Sequence, residues 1–311
     1  MTTLAFTKGH GTQNDFVLVL DADARLDLTA DVVRALADRR AGVGGDGVIR
    51  AVRSAAIPEG AEVLAQDPTA TWFMDYRNAD GSVAEMCGNG VRVFVRYLEH
   101  VGMVDLSDGA TLAIGTRAGV KRVRREGDRY AVDMGAWTLP GGAEALAAGS
   151  DAFVRTAGVD GPADARVALS VDLGNPHTVV ALASLDELAG ADLAVAPEVR
   201  PVPPHGTNVE YVVPLGEATT PDGVVGRVRM RVHERGVGET HSCGTGACAA
   251  AIAVATWAGQ GAPTTWLVDV PGGTVRVRLL PDGHVELAGP AVLVADGTID
   301  LAALRAGLVD A

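Results

Sequence analysis

Along the first half of the chain, short apolar runs alternate with polar turns. Leu4 to Phe6 and Phe16 to Leu20 read as strands on either side of the polar turn Gly9 to Asp15. Between Leu28 and Arg39 the apolar residues 28, 32, 33 and 36 fall at the spacing of one helical face, with Thr29 or Asp31 as caps. β-branched runs at 48–52 and 71–74 predict two further strands, and the polar, Pro-containing stretch between them reads as a loop. A helix is predicted over Val91 to Leu98, directly after Cys87-Gly-Asn-Gly90. Short strands with turn signals at Gly115, Gly119 and Gly127-Asp128 fill Thr111 to Met134, and Pro140-Gly-Gly142 breaks the pattern.

The second half repeats the mixture. Strands are predicted over Val167 to Leu173, ending in Gly174-Asn-Pro-His177, over Val209 to Val213, led by Gly206-Thr-Asn208, and over the alternating run Val224 to Val232. The chain then runs through Cys243-Gly-Thr-Gly246 into an Ala-rich helix, Ala247 to Ala258, and a hairpin across Pro271-Gly-Gly273 and Pro281-Asp-Gly283. Helices and strands therefore mix in an α/β chain of the α+β kind, and a domain boundary is expected near residue 135. A tail from Gly289 returns to the first domain, giving residues 1–135 plus 290–311 around Cys87 and residues 136–289 around Cys243.

Length agrees with this division, since 311 residues suggest about two domains. Lys+Arg total 26 against Asp+Glu 39, a net charge of −13, and a chain without basic excess cannot hold a nucleic-acid backbone electrostatically. The longest mostly apolar run, Ala247 to Ala258, is shorter than the roughly 20 residues a membrane span needs. Met1 to Lys8 has no charged n-region followed by an apolar core, so no signal peptide is expected. A cytoplasmic protein with a small-molecule ligand, neither membrane nor nucleic acid as partner, and a homodimer left open is the expectation. The 3 cysteines, Cys87, Cys243 and Cys248, are too few for a disulfide scaffold.

Two of these cysteines belong to an internal repeat. Cys87-Gly-Asn-Gly-Val91 and Cys243-Gly-Thr-Gly-Ala247 each open a helix, and they lie 243 − 87 = 156 residues apart, almost half the chain. Asn14-Asp-Phe-Val17 and Asn175-Pro-His-Thr178 form a weaker echo at a similar spacing. Two related halves are the simplest reading, with the thiols expected to face one another across a cleft. A thiol at a Gly-rich helix start lies beside N–H groups without intrahelical partners, which attract carboxylates and lower a cysteine pKa from about 8.5 toward neutrality. Inverting a stereocentre beside a carboxylate needs a base on one face of Cα and an acid on the other. One thiolate and one thiol supply both, while N–H donors stabilise the enolate-like intermediate.

Other residues carry structural readings beside functional ones. Cys248 lies about 140° round the helix from Cys243 and reads as core. No structural zinc spacing occurs. Gly42-Val-Gly-Gly-Asp-Gly47 matches a dinucleotide fingerprint, but a helix precedes it and a strand follows, the reverse of the order that fingerprint needs. The 2 lysines, Lys8 and Lys121, lack a setting for a pyridoxal Schiff base, which argues for chemistry without cofactor. His177 is either a general base or a hydrogen-bonded loop residue. Glu234-Arg235 is either a surface ion pair or a grip on an ammonium and a carboxylate. Asn14, Asn78, Asn89, Asn175 and Asn208 all read as turn residues, raised above that reading only by their nearness to the repeated motifs.

Taken together the motifs resemble the diaminopimelate epimerase family over nearly the whole chain. They are Lys8 to Phe16, Asn78-Ala-Asp-Gly-Ser82, Glu85 to Gly90, Gly174 to His177, Gly206-Thr-Asn208, and Glu234 to Thr240 leading to Cys243 to Cys248, six in the family's order. The resemblance implies cofactor-independent interconversion of L,L- and meso-diaminopimelate on the route to lysine and cell-wall precursors. It implies two pseudo-symmetric domains, each a curved, barrel-like, mainly antiparallel sheet around a central helix. Cys87 and Cys243 then correspond to the acid/base thiols, with His177 and Glu234 assisting. Asn14, Asn78, Gly88, Asn89, Asn175, Asn208, Glu234, Arg235, Gly244 and Thr245 correspond to substrate-binding positions, and no metal is implied. Gly47 stands where some members carry a substrate-touching glutamine, His233 replaces an aromatic residue, and the loop Ile57 to Pro68 is longer than usual. A proline or hydroxyproline racemase, which also uses paired cysteines, is the alternative within the class, and a non-enzymatic dithiol redox protein is the alternative outside it.

Overall fold

The computed structural model describes residues 3–159, 165–220 and 223–304. Residues 305–311, the end of the tail expected to return to the first domain, lie outside the described residues. The chain divides into two compact units, Met1–Val132 with Gly289–Ala311, and Asp133–Ala288.

The first stretch carries β1 (Thr3–Gly11), β2 (Asn14–Leu20), α1 (Ala30–Ala37), β3 (Gly47–Arg53), α2 (Glu59–Gln66), β4 (Trp72–Asn78), α3 (Gly88–His100), β5 (Thr111–Thr116), β6 (Gly119–Glu126) and β7 (Arg129–Ala136). After it come α4 (Gly142–Ala148), β8 (Ala152–Arg155), β9 (Arg166–Asp172), β10 (Pro176–Ala181), α5 (Leu185–Gly190), β11 (Glu198–Arg200), β12 (Asn208–Thr220) and β13 (Gly223–Glu234). The chain continues through β14 (Gly238–Thr240), α6 (Gly244–Ala258), β15 (Thr265–Val270), β16 (Gly273–Leu279), β17 (His284–Pro290) and β18 (Val292–Asp300).

Within the first unit the strands pair in the order β18-β1-β2-β3-β4-β5-β6-β7, parallel only at β2–β3 and β4–β5. Within the second, β8-β9-β10-β12-β13-β15-β16-β17 pair in the same way, parallel only at β10–β12 and β13–β15. The half-chain repeat is thus a repeat of topology, and in each unit the helix that follows the cysteine motif is inserted between the fifth and sixth strands of that order. In the first unit α3 touches β18 near one end of the sheet and β6 near the other, so the sheet curls around it. In the second, α6 touches β9, β10, β12, β13, β15 and β16. A helix enclosed on all sides must be apolar all round. Ala247 to Val254 meets that condition, with every residue 5% exposed or less.

Three local features depart from the sequence reading. The stretch between β3 and β4, read as a loop, contains a helical turn at Ser54–Ala56 and the helix α2. Its Val63 is buried against Phe73, Ala113 and Val52, and Ile57 packs on the same cluster, so contacts from elsewhere in the unit fix a segment bracketed by Pro58 and Pro68. Both cysteine helices start earlier than the apolar periodicity suggests, at Gly88 and Gly244, because the cysteines themselves cap them. Asn89 consequently lies in the first turn of α3 rather than in a connecting turn. The helix predicted over Leu28 to Arg39 spans Ala30–Ala37 with Thr29 as its cap, its side chain accepting from the Val32 N–H.

One polar cluster lies inside the first unit. The Asp75 carboxylate, fully buried on β4, pairs with Arg50 (2.6 Å), Arg77 (3.1 Å) and Arg117 (2.6 Å). Burial pushes this carboxyl up, but the guanidinium groups outweigh burial and hold it below the usual carboxylate range.

Candidate active site

In the first unit, Cys87 has extended backbone angles and its sulfur accepts the Gly90 N–H at 3.4 Å, as an N-cap side chain does. Asn14, the first residue of β2, brings its Oδ1 to that sulfur at 3.4 Å and to the Asn89 amide at 3.3 Å. The Asn14 amide donates in turn to Asp46 (2.7 Å), and Asn89 Oδ1 accepts from the buried Arg92 (2.8 Å). Asn78 ends β4, where its amide donates to Ser82. Opposite it in the register, Gly47 has no room for a side chain, since a Cβ there would meet the Arg77 carbonyl at 2.4 Å and the Tyr76 ring at 2.6 Å. Position 47 therefore has no space for the glutamine that some members of the resembled family carry there.

The second unit builds the same device. Cys243, 8% exposed, accepts the Gly246 N–H at 3.4 Å and lies 3.5 Å from the Thr245 hydroxyl, which accepts from Asn175 (3.3 Å). Asn208 opens β12, where its Oδ1 accepts the Arg235 N–H (3.0 Å) and its amide reaches the Pro176 carbonyl (3.4 Å). Glu234 ends β13 and accepts from Thr240, and the Arg235 guanidinium donates to the His205 carbonyl. His177 is on β10, level with Asn208, and its Nδ1 lies 2.7 Å from Oε1 of Glu210, with both side chains fully buried. His233 is buried too, its ring bonded to the Leu193 carbonyl at 2.8 Å.

Electrostatically, Cys243 departs from the expectation. Burial pushes its thiol well above the ordinary range, and the carboxylates of Glu234 and Glu210 push the same way, against the weaker pull of the Thr245 hydroxyl and the Gly246 N–H. The helix start alone does not produce a thiolate there, because desolvation of the buried sulfur and two negative charges exceed its effect. Cys248, one and a half turns along α6, is fully buried and packs.

Of the residues singled out from sequence, Asn14, Cys87, Gly88 and Asn89 converge in the first unit, with Asn78 in a neighbouring turn. Asn175, His177, Asn208, Glu234, Arg235, Cys243, Gly244 and Thr245 cluster in the second. Glu210 was missed. It occupies a strand position among Val209, Tyr211 and Val212, and only its unlikely place in an apolar run, level with β10, could have signalled it. Among the described residues no group of three or more His, Cys, Asp and Glu side chains is placed to hold a metal ion, and no helix is long and apolar enough to cross a membrane.

Comparison with known proteins follows the same lines. The family described as diaminopimelate epimerase matches the chain over residues 6–140 and 169–294. A diaminopimelate epimerase of Streptomyces coelicolor is 49% identical over 313 residues, covering 98% of each chain. Among solved structures, a phenazine biosynthesis protein of the PhzF family from Bacillus anthracis superposes with a TM-score of 0.61 at 16% identity, covering 97% of this chain and 100% of that one. A hydroxyproline epimerase from Agrobacterium vitis with bound trans-4-hydroxy-L-proline does so with a TM-score of 0.59 at 15% identity, covering 96% and 91%. These two share the fold.

Proposed function

The chain belongs to the diaminopimelate epimerase family, isomerases that interconvert the L,L and meso forms of diaminopimelate in lysine biosynthesis, and from that premise we propose that Cys87 and Cys243 carry the reaction as a pair. One, as thiolate, removes the Cα proton. The electron pair left behind spreads into the adjacent carboxylate, and the other thiol delivers its own proton to the opposite face. The reverse reaction exchanges the two roles, so no group is consumed in a full cycle. The observation that carries this reading is the repetition of one device in two units of the same strand order: a cysteine capping the central helix from a Gly-rich start, its sulfur within reach of an asparagine or a hydroxyl.

The developing negative charge requires donors aimed at the carboxylate. The first-turn N–H groups of Gly88 and Asn89 in α3, and of Gly244 and Thr245 in α6, are of the kind that helices leave to other acceptors. Asn14, Asn78, Asn175, Asn208, Glu234 and Arg235 suit a substrate with two amino-acid heads, since Arg can fork onto a carboxylate and Glu can hold an ammonium. His177 and Glu234 assist proton movement. The reaction needs neither metal nor organic cofactor, and we place the enzyme in the cytoplasm, acting on a free amino acid, with dimerisation open.

The test is isotopic. Incubation with L,L-diaminopimelate in D₂O should give meso product carrying solvent deuterium at Cα, while proline stays unlabelled. Labelling of proline or hydroxyproline alone would overturn the assignment.

A further inference from the structure

The two units build the ground beneath their thiols from different materials. In the first, a Cβ at Gly90, the third residue of α3, would meet Ile49 Cδ1 at 3.3 Å, Cys87 Cβ at 3.4 Å and Phe16 Cζ at 3.5 Å. In the second, a Cβ at Gly246, the third residue of α6, would meet Glu210 Oε1 at 2.7 Å, Cys243 Cβ at 3.2 Å and Cys243 Sγ at 3.3 Å. The registers show the correspondence. Phe16 and Gly47 pair across β2 and β3 as His177 and Asn208 do across β10 and β12, so Ile49, two residues past Gly47, takes the place of Glu210. Where one unit has the apolar pair Phe16 and Ile49, the other has His177 and Glu210. The fold does not demand a buried ionisable pair at this place, because its own repeat does without one. Such a pair is replaceable by hydrophobic residues at little or no loss of stability.

We propose that Glu210 is a positioning residue, which through its hydrogen bond to His177 and its charge beside Cys243 makes two otherwise equivalent thiols inequivalent. This rests on the paired-cysteine reading above. The carboxylate can only accept, so Nδ1 of His177 carries a proton, and in the neutral ring Nε2 is then the atom with the lone pair. That Nε2, like Oε2 of Glu210, finds no hydrogen-bond partner among the described residues, although both atoms are buried. In its neutral form a ring held this way offers Nε2 as a proton acceptor in one fixed orientation. The carboxylate and the Cys243 sulfur lie within about 6 Å of one another, the sum of their distances from the Gly246 point. Among the described residues, the charged groups that act most strongly on this thiol are Glu234 from β13 and Glu210 from β12. On the other strands packed against α6, Asp172 of β9 accepts the Gly174 N–H, Asp269 of β15 pairs with Arg227, and Arg276 of β16 pairs with Glu286. Cys243 therefore rests as the thiol of the pair, the proton donor.

Two measurements test this. In a Cys87→Ser background, the pH profile of Cys243 alkylation by iodoacetamide is compared with and without Glu210→Gln, and with the double change His177→Phe/Glu210→Ile, which imports the first unit's own residues. Both changes should move the midpoint toward acid by about one to two pH units, the effect of one charge at this distance in a partly screened interior. Both proteins should melt within a few degrees of their parent. An unmoved midpoint in folded protein would overturn the proposal. Independently of any variant at Glu210, ¹⁵N spectra of the wild-type protein, with His177 assigned by its loss in His177→Gln, should show that ring protonated at Nδ1 and bare at Nε2. The opposite tautomer overturns the proposal even if Glu210→Gln does not fold. Neither measurement depends on turnover, so a wild-type enzyme that labels no diaminopimelate would remove the proposed function while leaving these results to be judged on their own.

Discussion

Replacing Cys87 and Cys243 in turn with serine and with alanine separates the helix capping seen at both positions from the proton transfer proposed for them. An N-cap side chain contributes about 0.5–2 kcal/mol, and a sulfur 3.4 Å from its donor belongs at the bottom of that range. For units of this size, about 0.5 kcal/mol corresponds to a melting shift of about 1–2 °C. Alanine at position 87 or 243 should lower the melting temperature by that much, whereas serine, a strong capping residue, should hold or raise it. Activity should follow a different rule. Neither a hydroxyl nor a methyl can serve as base or acid near neutral pH, and a positioned general base contributes about 10²–10⁴ in rate. All four variants should lose at least that factor, with serine no better than alanine despite its better cap. The assay combines chiral chromatography with mass spectrometry of early product in D₂O. A variant retaining a tenth of the wild-type rate, or wild-type product that keeps the substrate's own Cα proton, would refute the two-base reasoning.

Other outcomes follow from single contacts. Asp75→Asn leaves three guanidinium groups facing a neutral amide and should cost about 3–5 kcal/mol near pH 7. Because the folded-state pKa of Asp75 is depressed, its contribution is present above the unfolded carboxyl value of about 3.9 and is lost as pH falls below it. The gap in melting temperature between wild type and variant should therefore narrow toward pH 3, and a gap independent of pH would sink the idea. Gly246→Ala forces a methyl to 2.7 Å from Glu210 and should destabilise by about 1–3 kcal/mol, whereas Gly90→Ala, with its nearest atom at 3.3 Å, should cost less. Equal losses in urea melts would contradict that ranking. Asn14→Ala removes the acceptor from both Cys87 and Asn89 and should reduce kcat/KM at least tenfold with an unchanged circular dichroism spectrum. Near-normal kinetics would place Asn14 outside the site.

Much of this was written in local patterns. The two Cys-Gly-x-Gly starts, the turn glycines around β5 to β7 and the apolar run of α6 are signals within a few residues of one another, and the structure places them accordingly. What escaped depends on partners far along the chain. Val63 makes α2 a helix by packing on Phe73 and Ala113, and the eight residues Glu59–Gln66 are too few for a periodicity to announce it. Glu210 reads as one polar residue on a strand until β10 brings His177, 33 residues earlier, to its side. The thiol expectation failed at Cys243 for the same reason. The helix start is legible in sequence, but the burial and the two carboxylates that oppose it are tertiary facts.

The position of β18 sets the order in which the molecule can mature. It pairs with β1 from Thr3 opposite Asp300 to His10 opposite Val292, and α3 packs against it. Every strand of the Cys243 unit precedes β18 in the chain, so all the partners that unit needs are made before β1 acquires its own. The Cys87 unit, begun first, leaves one edge of β1 without its partner until Val292 to Asp300 have been made. During that interval β1 is an open edge of the kind that recruits strands from other chains. Chaperone dependence and aggregation during expression should therefore track changes in β1 and β18 more closely than changes anywhere in the second unit.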